Sequence, residues 1–149
     1  MSGWELFAVT TVTLFLKHVL TIGVQATARL RTGRWRHAED AKMLKAKADA
    51  GDAPLAERGQ DLIRNSLENE PIFLLLLFGF FVVNTNADFQ VVEAEARAAV
   101  IYVGVFVGAR VFHALFFLFR IAGVRTVAWL VGFLATLGVA AQTLLDVYG

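Results

Sequence analysis

Between Glu57 and Phe81, a polar run carrying Arg58, Asp61, Arg64, Asn65 and Glu68 passes through Pro71 directly into IFLLLLFGFF. Arg58, Asp61, Asn65 and Glu68 are spaced i, i+3, i+7 and i+10, so in a helix they share one face, and Arg64 lies four residues before Glu68 and can touch it. Pro71 removes a backbone donor just after the cluster, leaving a carbonyl one turn earlier to be filled by a neighbour, a side chain or a ligand. A second cluster, Arg110 and His113, lies three apart on one helical face, which Phe117 continues at i+7. A third, Arg125, Thr126 and Trp129, opens the last apolar segment, where a cation and a hydroxyl at a positive helix end make a place for an anion.

These groups matter because of the segments that carry them. The apolar part of the first stretch, 71–83, is about 13 residues, whereas a helix needs roughly 20 to cross the hydrocarbon core. The helix must therefore begin upstream and take its charges with it, and charges at that depth face a bundle interior, each other or a ligand. Arg110 lies about twelve residues into an apolar span and needs a buried carboxylate; by depth and charge, Glu68 is the expected partner. Such a pair also serves as structural glue without chemistry, and His113 reads equally as a satisfied interior histidine. Lys17, near the middle of the first span, costs roughly 2.5–3.5 kcal/mol on insertion scales and is expected to snorkel or find a carboxylate in the bundle.

The chain is 57% hydrophobic and only 18% charged, which places it with membrane proteins. The absence of cysteine excludes disulfides, thiolate metal sites and cysteine nucleophiles, and no metal-ligand cluster appears. A net charge of +1 argues against nucleic acid as a partner. The N-terminal MSGWELFAV has no basic region or cleavage site, so the first span is expected to remain in the mature protein.

The expected fold is an all-α integral membrane protein: a four-transmembrane-helix bundle in one domain spanning 1–149, with helices at about 4–30, 56–83, 92–119 and 124–148. The loop at about 31–55 is expected to contain one short helical piece near 38–50. Arg29, Arg31, Arg34 and Arg36 follow the first span, and Arg120 and Arg125 flank the turn before the last. The positive-inside rule therefore puts both basic connections on the cytoplasmic side and the termini on the other. Gly104 and Gly108 form a GxxxG, a weak sign of helix association.

Taken together, ER at 57–58, RNSLEN at 64–69 with Pro71, ARVFH at 109–113, and Arg125, Thr126 and Trp129 resemble the MAPEG family of eicosanoid and glutathione metabolism. Within it, the chain is most similar to the microsomal glutathione transferase and microsomal prostaglandin E synthase branch. The resemblance covers nearly the whole chain, including Lys17, Arg29 and the AED at 38–40. It implies a homotrimer with glutathione bound between neighbouring subunits near the cytoplasmic face. Arg64, Asn65, Glu68 and His113 match glutathione-contacting positions, and Arg29 and Arg125 match cations that hold its carboxylates and thiolate. Arg110 matches the arginine that pairs with a glutamate of the second span, Thr126 a serine beside the sulfur, and Trp129 a stacking tyrosine. Asp61 stands where the family often has arginine, Ile63 where it has histidine, and Phe117 where it has a tyrosine that bonds the tripeptide. The second span is also one residue shorter between Glu68 and Pro71. The charge reversal at Asp61 and the lost hydroxyl at Phe117 imply weaker glutathione binding or a different thiol.

The resemblance thus implies a glutathione-dependent transferase or peroxidase acting on hydrophobic electrophiles or lipid hydroperoxides. Arg125 and Thr126 would be its catalytic pair, and Arg29, Arg64, Asn65, Glu68, Arg110, His113, Phe117 and Trp129 its binding residues. The alternatives are an isomerase resembling the prostaglandin synthase, or a non-catalytic lipid-binding scaffold of the same family. An ion-coupled carrier is disfavoured by only four spans and no broken-helix pair.

Overall fold

The first span opens on S-G-W-E, the pattern of a reciprocal helix cap. In a computed structural model, which describes residues 2–44, 46, 51–86 and 91–148, that cap is made. The Ser2 N–H donates to Glu5 Oε2 at 2.7 Å, and the Glu5 N–H donates to Ser2 Oγ at 3.2 Å. The helix it starts, α1, runs Gly3–Thr32. It stops at Gly33, whose φ of +65° suits a residue without Cβ and whose N–H returns to the Arg29 carbonyl at 2.8 Å. Along α1, the hydroxyls of Thr10, Thr11, Thr13, Thr21 and Thr32 each donate to the carbonyl four residues earlier.

The connecting loop holds one short helix, α2, Ala38–Met43. It ends well before the expected limit near 50; residues 45 and 47–50 lie outside the described residues. Helix α3, Pro54–Val83, begins with proline at its first position, where the missing N–H has no intrahelical partner to lose. Pro71 lies inside α3 without ending it. Helix α4 covers Glu93–Leu118 and α5 covers Ala122–Tyr148. Thr85 and Val91 form an isolated antiparallel β-bridge.

The α4–α5 corner is a Schellman turn built without glycine. The Ile121 N–H reaches the Phe116 carbonyl at 2.9 Å, the Arg120 N–H reaches that of Phe117 at 3.4 Å, and Arg120 takes a φ of +67°. Four helices, α1, α3, α4 and α5, are long and apolar enough to cross a membrane. All four carry exposed large apolar side chains, among them Leu20, Leu75, Ile101 and Leu145, as lipid-facing surfaces require. The chain is an all-α, four-helix membrane bundle and an integral multi-pass protein.

Two compact units divide it, Leu16–Ser66 and Met1–Phe15 with Leu67–Gly149. In the larger, the core is aromatic: Phe73 of α3 stacks on Phe106 of α4 at 3.7 Å and 2°, among Leu77, Phe80, Phe81, Val103 and Val139. Trp4 and Phe7 of α1 pack against Phe78 and Phe81. An added Cβ on Gly132 of α5 would make only ordinary contact, at 3.5 Å, with Ala109 and Arg110 of α4, whereas on Gly138 it would meet the Tyr102 ring of α4 at 2.7 Å, so the close approach of that ring uses Gly138. Gly104 and Gly108, in contrast, face nothing within 4 Å. At the far end of α3, the Asn84 side-chain amide donates to Asp146 of α5 at 2.9 Å, and Gln142 donates to the other Asp146 oxygen at 2.8 Å. In the smaller unit, Ala28, Ala53 and Ala56 form an apolar contact, and Gly59 admits the Gln25 side chain, which a Cβ would meet at 2.5 Å.

Candidate functional site

In the unit Leu16–Ser66, Arg29 lies in the last turn of α1, and its planar fork meets one carboxylate edge-on. Nε donates to Asp52 Oδ1 at 2.9 Å and Nη2 to Oδ2 at 2.6 Å. Asp52 is 3% exposed at its side chain and also accepts the Ala53 N–H at 2.8 Å. The bonds from Arg29 hold the Asp52 carboxyl below the usual carboxylate range; burial opposes this and the Ala53 N–H assists it. Arg29 is therefore bonded to the chain's own loop.

Arg64 is exposed on α3 and donates from Nη2 to Asp61 Oδ1 at 2.8 Å. Asn65 is half-buried beside it. Next to Asn65 on α3, Ser66 Oγ accepts from Lys17 Nζ of α1 at 2.8 Å, so a serine hydroxyl receives the ammonium for which a carboxylate was expected. A polar recess of about 470 Å³ is lined by Arg36, Gly51, Asp52, Glu57, Gln60 and Asp61. Arg36 bonds Gln60 across it.

The other unit holds the second cluster, and here one expectation is corrected. Arg110 is paired with Glu70, not Glu68: Nε lies 3.4 Å from Glu70 Oε1, with both side chains at most 5% exposed. Glu68 is exposed and, among the described residues, makes neither a hydrogen bond nor an ion pair. The reason is helical phase. Glu70 falls in step with the buried Leu62, Ser66, Phe73, Leu77 and Phe80, whereas two residues of helix rotate Glu68 roughly 200° away. Depth and charge alone did not contain that register. Asp52, the other residue missed, had a weaker signal: one of several acids in a polar loop, standing just before a helix-starting proline.

Around the start of α5, three residues form a connected set. His113 Nδ1 stands 3.1 Å from the Arg125 carbonyl oxygen, which can only accept, so Nδ1 carries the proton. The His113 ring lies 5.9 Å from that of Phe117, and the Arg125 guanidinium sits over the Phe117 ring at 4.9 Å. Phenylalanine at 117 thus lacks a hydroxyl and presents its face to a cation. Among the described residues, Arg125 meets no carboxylate. Thr126 directs its hydroxyl proton to the Ala122 carbonyl at 3.1 Å, so offering that proton to a ligand requires a side-chain rotation. Trp129 is half-buried and stacks on Phe133 at 5.4 Å and 5°.

The structure thus joins His113, Phe117 and Arg125, gives Arg29 and Arg64 carboxylates of their own, and separates Glu68 from Arg110. With this geometry in hand, comparison with known families matches residues 7–145 to the MAPEG family. No curated protein matches the chain.

Proposed function

The chain belongs to the MAPEG family, and from that premise we propose that it is a glutathione-dependent membrane enzyme of the transferase and peroxidase type. Its substrates are hydrophobic electrophiles or lipid hydroperoxides, and it sits in the microsomal glutathione transferase and prostaglandin E synthase branch. The observation that carries this reading is Arg125. Of the site cations Arg29, Arg64, Arg110 and Arg125, it alone meets no carboxylate among the described residues, and it lies in the first turn of α5. A cation so placed favours an anion, and a thiol of ordinary pKa near 8.5 becomes a nucleophile only as its thiolate.

When bound, glutathione supplies the thiol. Arg125 and the α5 N-terminal turn lower the cost of its negative charge, Phe117 holds the guanidinium over its ring, and His113 ties the backbone of that turn to α4. Arg64, Asn65, Glu68 and His113 hold the peptide part. Arg110 contributes through its pairing with Glu70. Thr126 contributes its hydroxyl after rotation, and Trp129 closes the side of the site. The oily substrate enters laterally from lipid. An apolar groove of about 620 Å³ along α1, past Val19, Gly23, Thr27 and Arg31, suits such a molecule. We read the chain as one domain acting as a homotrimer, with its basic loops and site on the cytoplasmic side and its termini opposite.

The test is glutathione turnover with a model electrophile, using the protein in detergent. Arg125→Ala is expected to lower kcat/KM at least about tenfold, the loss of roughly 1.4 kcal/mol of transition-state stabilisation. Wild-type turnover no higher than that of the variant rejects the enzyme reading. A non-catalytic lipid-binding scaffold is the second reading, favoured by the engagement of Arg29 and Arg64 with Asp52 and Asp61. It requires that millimolar glutathione produce no thermal stabilisation. Isomerase chemistry on the same thiolate is separated from transfer by product analysis with an endoperoxide substrate.

A further inference from the structure

We infer that Asp61 determines specificity by setting how much negative charge the thiol ligand can carry, so that the site favours thiol peptides whose carboxylates are masked or replaced by amides. This rests on the glutathione-dependent reading above and deepens it. Asp61 Oδ1 accepts from Arg64 Nη2 at 2.8 Å, occupying one donor of the guanidinium assigned to the peptide part of the ligand. The same carboxylate lines the recess of about 470 Å³, where Asp52 and Glu57 join it against one cation, Arg36. Arg29, the other cation of this unit assigned to a ligand carboxylate, is bound through both Nε and Nη2 by Asp52. A carboxylate approaching Arg64 therefore meets a guanidinium already neutralised and a fixed negative charge beside it. An ester or amide meets the same donor without the repulsion.

The pair is solvent-exposed, with side-chain exposures of 73% for Arg64 and 54% for Asp61. Its effect is therefore modest and screened by salt. Exposure also makes Asp61→Asn a substitution the fold tolerates, which thermal unfolding without ligand verifies.

The experiment measures calorimetric binding of glutathione and of its diethyl ester to the full chain in detergent micelles, for wild type, Asp61→Asn and Asp61→Glu. Asp61→Asn is expected to tighten glutathione by about two- to fivefold without tightening the diester. The gain should shrink at about 1 M salt, where the screening length is about 3 Å, and Asp61→Glu should behave as wild type. If both proteins bind glutathione and the ratio of the two affinities is the same in Asp61→Asn as in wild type, the inference about Asp61 is overturned while the glutathione reading stands. If no protein binds either probe, both are overturned.

Discussion

Arg29 with Asp52 and Arg110 with Glu70 are both ion pairs on a buried carboxylate, but they are built differently. The first lies where a membrane helix gives way to a loop and has two well-formed bonds, at 2.9 and 2.6 Å, with a backbone N–H on the same carboxylate. The second lies inside an apolar helix pair, and its Nε to Oε1 separation is a long 3.4 Å. Geometry favours the first pair, yet surroundings make the second harder to break. Water can reach a loop when one partner is removed; in a membrane core no solvent compensates the remaining charge. Tight geometry perturbs the acid's titration, and depth sets the cost of losing a partner.

The largest expected effect follows from that contrast. Glu70→Ala removes the counter-charge of Arg110 and should destabilise by about 3–5 kcal/mol, read as thermal unfolding in detergent. Glu68→Ala, on the exposed face, should stay within about 0.5 kcal/mol. Equal effects at the two positions would reverse the assignment of Arg110. Replacing the pair together, Glu70→Leu with Arg110→Met, should recover most of the loss, because two apolar groups need no counter-charge.

Asp52→Ala comes next, at about 1.5–3 kcal/mol, the range for hydrogen bonds to a charged group. This pair also predicts a pH dependence. Its folded carboxyl titrates below the unfolded value of about 3.9, so its stabilisation is fully present above about pH 4 and is lost as pH falls through the lower folded value. Wild type should lose stability over that acid range, and Asp52→Asn, already lacking the contribution, should show a flatter curve there. The smallest effect is a gain. Arg120 holds a left-handed φ of +67° at the α4–α5 corner, which costs a residue with Cβ about 1–2 kcal/mol. Glycine's extra chain entropy returns about 0.5–1, so Arg120→Gly should stabilise by about 0.5–1 kcal/mol in the same melting experiment.

The four spans were legible because apolar length is a property of consecutive residues, and even the start of α3 upstream of its apolar part followed from the shortness of 71–83. Of the helical piece expected near 38–50, where alanine and lysine favour helix locally, α2 covers Ala38–Met43, with Leu44 out of helical conformation. The pairing of Arg110 needed helical phase as well as depth, and phase is visible only once the buried face of α3 is known from Phe73, Leu77 and Phe80. Arg29 was legible as a cation at a helix end. Its partner was not, because Asp52 is 23 residues away across a loop whose path the sequence does not contain. The contact of Arg125 with Phe117 was likewise hidden: a phenylalanine in place of an expected tyrosine reads as a loss until the cation above its ring is seen.

The threonines of α1 carry one further consequence, for entry into the bilayer. Thr10, Thr11, Thr13, Thr21 and Thr32 give their protons to their own helix, which leaves their methyl groups as the main feature they offer sideways. A hydropathy scale charges each for a hydroxyl in need of a partner, whereas the folded helix has already provided one. The segment therefore partitions as a more oily helix than its composition implies, and that surplus offsets part of the cost of carrying Lys17 across.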